Sequence, residues 1–389
     1  MRAIKTMFVI TGLLVSLYAF AEEPKKKAEQ QKGPTMSELI QQQKYKEAAD
    51  LGEKFIKANQ ADFSIYYNLG VAYENLKDYP KALSNAELAA GMDATSAMPY
   101  QLMAAVYHEM GQEDKVIESY EKGLVVDPSN KEMLYNLGHL YEQRKDMAHA
   151  MEKYDQLIAL DPSYQNVAYD VGVMLQESGD PAKALTYFEK ANGAKPDNED
   201  VLLAIAQTQL KLKNWAAAAD GFQKFLKVTK KDAYRVAIMQ NMAVCYFKAN
   251  DFTKCAETAD QILQARPNDE KGLFFKAEAL LAQDDCAKFG PAAESFLAVS
   301  KADAMRLPVL KGLCACQYKE KKYKEAASVG QQVVALDPND EETLLRVANA
   351  YNEMKDTRKA IEYYKKFIAV TKDQDLKAKA QKNVKQLGG

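Results

Sequence analysis

Small residues return at a fixed interval in this chain, and that interval restricts what it can fold into. Ala48, Ala82, Val116, Ala150, Ala184 and Ala218 are evenly spaced, at the period of about 34 residues typical of helical-hairpin arrays. After two slips of three residues the series continues as Cys255, Ala292, Ala326 and Ala360. A second series keeps step with it: Gly70, Ala104, Gly138, Gly172, Ala206, Ala243, Ala277, Cys314 and Ala348. Paired small positions at this period mark a stack of such hairpins. Two helices of one hairpin approach closely only where both carry little side chain. The small residues are therefore expected where the first helix of a hairpin crosses the second, with Gly138 opposite Ala150.

Larger residues recur in the same frame. Leu69-Gly70 then Tyr73, Leu137-Gly138 then Tyr141, and Val347-Ala348 then Tyr351 form one face of a first helix. Ala82 then Ala86, Ala150 then Tyr154, Ala184 then Phe188, and Ala360 then Tyr364 do so on the second. Pro128, Pro162, Pro196, Pro267 and Pro338 close their repeats, since proline neither continues a helix nor favours helical angles before it. Gly111, Gly179, Asn214 and Asn250 mark the turns inside hairpins. With Tyr66 through Tyr73 and Ala150 through Pro162 at these spacings, the chain resembles the tetratricopeptide repeat family. The resemblance covers roughly residues 34 to 372. It implies an all-α fold: a right-handed superhelix of about nine to ten helix-turn-helix repeats with a C-terminal closing helix.

Full repeats are placed near Phe63, Ala97, Lys131, Gln165, Glu199, Val236, Glu270, Leu307 and Glu341. The expected organisation is a signal peptide at 1–21, a disordered charged linker at 22–34, a degenerate repeat at 35–62, the array at 63–372 and a capping helix and tail at 373–389. A closing helix with a wet outer face protects the last apolar surface of a solenoid. The repeats from Glu199 and Glu270 each exceed the period by one slip, and the second carries its extra residues around Cys286 to Pro291. Local irregularity is expected between about residues 228 and 300.

The amino end reads as a leader. Arg2 and Lys5 precede an apolar run from Met7 to Leu17, and Ala19-Phe20-Ala21 supplies a cleavage site. The run is too short for a membrane span, which needs about 20 residues. No cysteine lies nearby to take a lipid. The expectation is export, most simply to the periplasm of a bacterium, with no stable span after removal of the leader. Losing Arg2 and Lys5 leaves 50 basic residues against 54 acidic ones, a net charge of −4. That balance excludes a nucleic-acid binder, which needs a strongly basic surface.

Catalytic chemistry has no footing in the sequence. His108, His139 and His149 offer no third ligand at a metal-binding spacing, although His108 and His139 fall on the inner faces of adjacent repeats. No phosphate loop, nucleophile elbow or paired-carboxylate site is present, so no enzyme activity and no cofactor are expected. Trp215 follows a turn where packing explains it. All five cysteines lie between Cys245 and Cys316. In an oxidising compartment a bridge is expected, and Cys286 to Cys316 or Cys286 to Cys314 is the favoured pairing. Cys255 and Cys314 occupy small-residue crossings, where a thiol acts as a small apolar group.

In the family the resemblance names, the first helix of each repeat lines the inner surface, and partners dock there. Positions two, five, nine, twelve and thirteen are expected to point inward. In the first four full repeats these include Tyr67, Glu74, Glu109, Tyr135, Glu142, Tyr169 and Glu177, with His108, Glu132 and His139 among them. In the later repeats they include Lys211, Phe247, Lys248, Phe274, Lys311, Tyr318 and Lys319, with Asp200 and Glu278 as the acids. An inner surface acidic in its first half and basic in its second suits an extended protein or peptide partner. The chain is thus expected to be a non-enzymatic interaction scaffold of a bacterial envelope, its oligomeric state left open. The alternative is a periplasmic accessory with a thiol-redox or metal-handling role in the Cys245–Cys316 region.

Overall fold

Aspartate and asparagine start the helices of this chain. Asp62, Asn130, Asp180, Asp251, Asp269, Asp285 and Asp340 each accept a hydrogen bond from a backbone N–H in the first turn that follows. Each bond satisfies one of the amide groups that a helix start leaves without a partner. Inside a hairpin, the residue before the cap turns into the left-handed region: Gly111 at φ +68°, Gly179 at +90° and Asn250 at +59°. Lys213 takes this role at φ +61° in the turn assigned above to Asn214, which instead sits at the cap.

The structure, a computed structural model, describes residues 33–230 and 232–389. The residues read as a leader, and nearly all of those read as a charged linker, lie outside the described residues. Every regular element among the described residues is helical, with 21 α-helices and one 3₁₀ turn at Tyr164–Asn166. The fold is all-α and built of helical hairpins, in line with the period in the sequence.

The chain divides into two compact units, Met1–Val171 and Gly172–Gly389. In the first, α1 (Met36–Gln41) and α2 (Tyr45–Lys57) form the degenerate hairpin. It is followed by α3 (Phe63–Asn75) with α4 (Tyr79–Met92), α5 (Met98–Glu109) with α6 (Glu113–Val126), and α7 (Lys131–Gln143) with α8 (Met147–Leu160). Helix α9 (Val167–Glu177) spans the division. The core of this unit packs Leu69, Ala82 and Ala86 of α3 and α4 with Met36, Leu39 and Ile40 of α1. Gly70 faces the Ala82 carbonyl oxygen, where an added Cβ would come within 3.3 Å. Gly138 instead faces the ring of Tyr154, not Ala150. One turn of helix separates those two residues, and the large ring fills the space the glycine leaves.

The second unit holds α10 (Pro181–Ala194), α11 (Glu199–Lys211), α12 (Trp215–Val228), α13 (Asp232–Lys248), α14 (Phe252–Ala265), α15 (Glu270–Ala282) and α16 (Cys286–Val299). It continues with α17 (Asp303–Lys319), α18 (Tyr323–Leu336), α19 (Glu341–Glu353), α20 (Thr357–Val370) and α21 (Gln374–Gln386). The repeats expected to begin at Val236 and Leu307 begin one turn earlier, at Asp232 and Asp303. No proline ends the helix before them. The chain passes instead through Thr229 and Ser300, whose hydroxyls donate to Glu199 at 2.9 Å and to Glu270 at 2.5 Å. Arg306, in the added turn of α17, donates to the carbonyls of Leu297 and Ser300 at 2.8 and 2.6 Å. The segment Cys286 to Pro291, expected to be an irregular insertion, is the first turns of α16, capped by Asp285.

These departures are themselves periodic. Helix starts recur at Glu199, Glu270 and Glu341, at Trp215, Cys286 and Thr357, and at Asp232, Asp303 and Gln374. All three series share one interval, two periods and one slip. Phe252 and Tyr323 keep the same step. Helix ends agree as well, from Lys211 to Ala282 to Glu353 and from Lys248 to Lys319. The second unit is therefore built on a repeating double hairpin, and α21 holds the place of α13 and α17 in its third copy.

Candidate functional site

On the first unit, four carboxylates lie on successive first helices: Glu74 on α3, Glu109 on α5, Glu142 on α7 and Asp170 on α9. None of the four is paired with a lysine or arginine among the described residues. Glu74 is half-buried, accepts a hydrogen bond from Asn75 Nδ2 at 2.6 Å, and acts electrostatically on Tyr45 of α2. Its carboxyl is pushed up to about 7, chiefly by burial and then by the Glu109 charge. Asp170 keeps an exposed edge, yet the protein around its carboxyl raises it to about 6, with the Glu142 charge adding to the effect.

Glu142 is held differently. Tyr154 donates to it at 2.8 Å, and His139 Nδ1 lies 3.5 Å away. Those contacts, His139 foremost, keep it below the usual carboxylate range. His139 stacks on Tyr135, whose ring meets Tyr164 at 6.0 Å between centroids. The face thus alternates carboxylates with aromatic rings. Tyr135 and Tyr169 are half-buried, and Glu177 is exposed at the end of α9. Tyr67 does not belong to the face. It is 2% exposed and packs into the core beside α1, because the degenerate hairpin covers the start of α3.

The raised carboxyl of Glu74 makes stability depend on pH. A carboxyl with a higher pKa in the folded chain than in the unfolded one favours folding while it is protonated. That advantage is full below the ordinary value of 4.5 and is lost as the pH climbs through about 7. Glu74→Gln is expected to stabilise the chain at pH 8 by about 1–2 kcal/mol after solvent screening, and to change little at pH 4. Thermal melts at the two pH values check this. An equal effect at both would remove the crowded carboxyl as its cause.

In the second unit two of the lysines expected on the inner surface have acidic partners within the chain. Lys311 is bound to Asp337 at 3.1 Å and to Asp340 at 2.8 Å, and Lys319 to Asp284 at 2.6 Å. These acids come from turns of adjoining hairpins, where spacing along one helix gives no sign of them. Lys211 and Lys248 are exposed and make no ion pair among the described residues. Phe247 meets Phe252 and Phe275, and Phe274 meets Phe275 and Phe296, so these rings are already part of an aromatic run in the core. Tyr318 packs edge-on against Tyr323. Burial raises the carboxyl of Glu278.

Cys286 and Cys316 are joined in a disulfide, while Cys245, Cys255 and Cys314 are buried thiols. Burial pushes those thiols up to about 11, 12 and 11 respectively, so they are protonated at neutral pH and poor nucleophiles. Among the described residues no group of three His, Cys, Asp or Glu side chains is placed to hold a metal ion. His149 pairs with Asp146 on the surface at 2.7 Å. No helix among the described residues is long and apolar enough to cross a membrane. Sequence reasoning missed Tyr45, Asp170 and Tyr154 as members of the acidic face. Asp170 lies outside the five inward positions, and the two tyrosines lie on second helices.

Comparison with known proteins places these hairpins in a wider group. Residues 21–231 match a tetratricopeptide repeat model, and residues 342–370 match another. The chain is similar to Hsp70-Hsp90 organizing protein 1 of Glycine max, at 36% identity over 124 residues, 29% of this chain and 22% of that protein. It is also similar to BBSome complex member BBS4 of Mus musculus, at 34% identity over 97 residues, 25% of this chain and 18% of that protein. The matched segments thus span less than a quarter of these relatives' length. A solved structure of Naa15/Naa10 bound to HypK-THB aligns over 90% of this chain and 66% of that one, at 14% identity and a TM-score of 0.44.

Proposed function

The chain belongs to the tetratricopeptide repeat family, and we propose that it is a non-enzymatic scaffold of a bacterial envelope that holds protein partners on its inner helices. The observation that carries this reading is the run of Glu74, Glu109, Glu142 and Asp170 on successive first helices, interleaved with aromatic rings and paired with no lysine or arginine among the described residues. Like charges that crowd one another are relieved by an incoming cation. The face therefore favours a basic segment of a partner, with Tyr135 as the apolar contact. Exposed ion pairs contribute only about 0–1 kcal/mol each, so the rings are needed for affinity and the charges for selection and encounter. The leader read at residues 1–21 supports the envelope location. The two relatives' names, an organizing protein and a complex member, agree with a role in holding other proteins.

Glu109→Lys with Asp170→Lys tests this reading at two exposed positions, where the fold is not at stake. Proteins captured from envelope extract by the parent chain are expected to bind the double variant at least about tenfold more weakly. Cell fractionation checks the location. Undiminished capture by a variant with an unchanged circular dichroism spectrum would remove the acidic face from the proposal.

A further inference from the structure

Helix α21 keeps the frame of α13 and α17 and changes its chemistry. On the side packed against the preceding helix the copies agree. Ile238, Val309 and Ala380 are buried at one position, and Met242, Leu313 and Val384 at another. Further round the helix they differ. Ala243 and Cys314 are buried against Cys255 and Ala326 of the helix that follows, with Met239 and Leu310 buried one turn away. The same two positions of α21 hold Lys385 and Gln381, both exposed. A third position shows what this side receives. Gln240 donates from Nε2 to the carboxylate of Asp269 at 2.9 and 3.0 Å, and Lys311 from Nζ to Asp340 at 2.8 Å. Each aspartate caps the next first helix, α15 or α19. In α21 the position is Lys382, exposed, with Lys379 and Lys385 exposed about one turn to either side.

No carboxylate pairs with Lys379, Lys382 or Lys385 among the described residues. Asp373 is taken by the amides of Asp375 and Leu376, and Asp356 and Glu362 of α20 by Lys359 and Lys366. The chain carries the complement on its first unit, where Glu74, Glu109, Glu142 and Asp170 are paired with no lysine or arginine. The spacing also agrees. Lys379 and Lys385 lie about 9 Å apart along the helix axis, and helices packed side by side, as α3 and α5 are, stand about 8–10 Å apart. We propose that the exposed side of α21 in one copy of the chain docks on the carboxylates of Glu74, Glu109, Glu142 and Asp170 in a second copy. This inference rests on the acidic face described above and names an occupant for it. Leu376, exposed at the start of α21, offers the rings of that face an apolar contact. The two surfaces are unlike, so copies join head to tail. Each exposed ion pair contributes only about 0–1 kcal/mol, which makes the assembly reversible and open to displacement by another basic segment. A second copy suits this helix better than a nucleic acid, because carboxylates fill the place of Lys382 in both earlier copies and the whole chain is net negative, at −2.

Sedimentation velocity of the full chain over a range of concentrations tests this. The mean mass is expected to rise with concentration at low salt and to fall to that of one chain in about 1 M salt, where charges are screened beyond about 3 Å. Lys382→Glu with Lys385→Glu, at exposed positions, is expected to weaken assembly at least about tenfold with an unchanged circular dichroism spectrum. Glu109→Lys with Asp170→Lys is expected to do the same. Each variant keeps the surface that the other has lost, so the two mixed are expected to assemble although neither does so alone. A parent chain that keeps the mass of one copy at every concentration, assembly that survives either variant, or a mixture that stays apart would each overturn the inference. The acidic face is read separately, by capture from envelope extract with the α21 variant, in which that face is intact. Capture that persists where no assembly is found strikes only the docking of a second copy.

Discussion

Gly138→Leu is expected to destabilise the first unit by about 3 kcal/mol or more, the upper part of the range for overpacking. A Cβ at this position would lie 2.7 Å from Tyr154 Cε1 and 2.8 Å from Cδ1. The ring is 5% exposed and has no open space to enter. Displacing it also breaks the hydrogen bond from its hydroxyl to Glu142. A helix gains from losing a glycine, but only by about 1 kcal/mol. Gly91→Leu isolates that gain, since nothing lies within 4 Å of a Cβ built there. Urea melts followed by circular dichroism are expected to show a large loss at Gly138 and none at Gly91. Equal effects would place Gly138 away from the helix crossing.

That crossing was legible because close approach of two helices tolerates few residue types. Gly70 and Ala82 identify the hairpin by their spacing, since a Cβ added at Gly70 would meet Leu102 and the Ala82 carbonyl. The starts of α13 and α17 were not legible by the same means. The small residues mark where helices cross and say nothing of where they begin. The missing signal was present in another form. Thr229, Ser300 and Thr371, each followed by lysine and lacking the usual proline, recur at the double-hairpin step.

The site was legible in sign and poorly legible in detail. Position along a helix put Glu74, Glu109 and Glu142 at matching places on successive first helices, where Glu109 acts on Glu74 and Glu142 on Asp170. The same rule failed at Tyr67 because a short helix from outside the regular repeat lies over it. It failed for Lys311 and Lys319 because their partners are set by the packing of one hairpin on the next. Periodicity describes which way a side chain points from its own helix. Whether it meets solvent, a ring or a counterion depends on the neighbouring repeat, where no single-helix pattern reaches.

Removal of the Cys286–Cys316 bridge is expected to lower the stability of the second unit by about 3–4 kcal/mol, from the chain entropy released by opening a loop of 30 residues. The bridge ties the first residue of α16 to the interior of α17, and so fixes one hairpin against the next. Cys286→Ser with Cys316→Ala is the suitable variant, because position 316 is 4% exposed and a buried hydroxyl there would add its own cost. The parent chain is expected to melt lower in reductant, and the double variant to ignore it. Thiol titration gives an independent reading: three thiols in the unfolded oxidised chain and five after reduction. In the folded chain the three should react slowly. Cys255 donates to the Ala243 carbonyl at 3.5 Å and Cys314 to that of Ala326 at 3.3 Å, both from fully buried positions. A parent melt unmoved by reductant, with five thiols found before reduction, would show that the two cysteines pack without a bond. The packing of Phe289 and Phe296 on Val309 and Leu313, with Arg306 on the Leu297 and Ser300 carbonyls, would then hold this junction without a covalent tie.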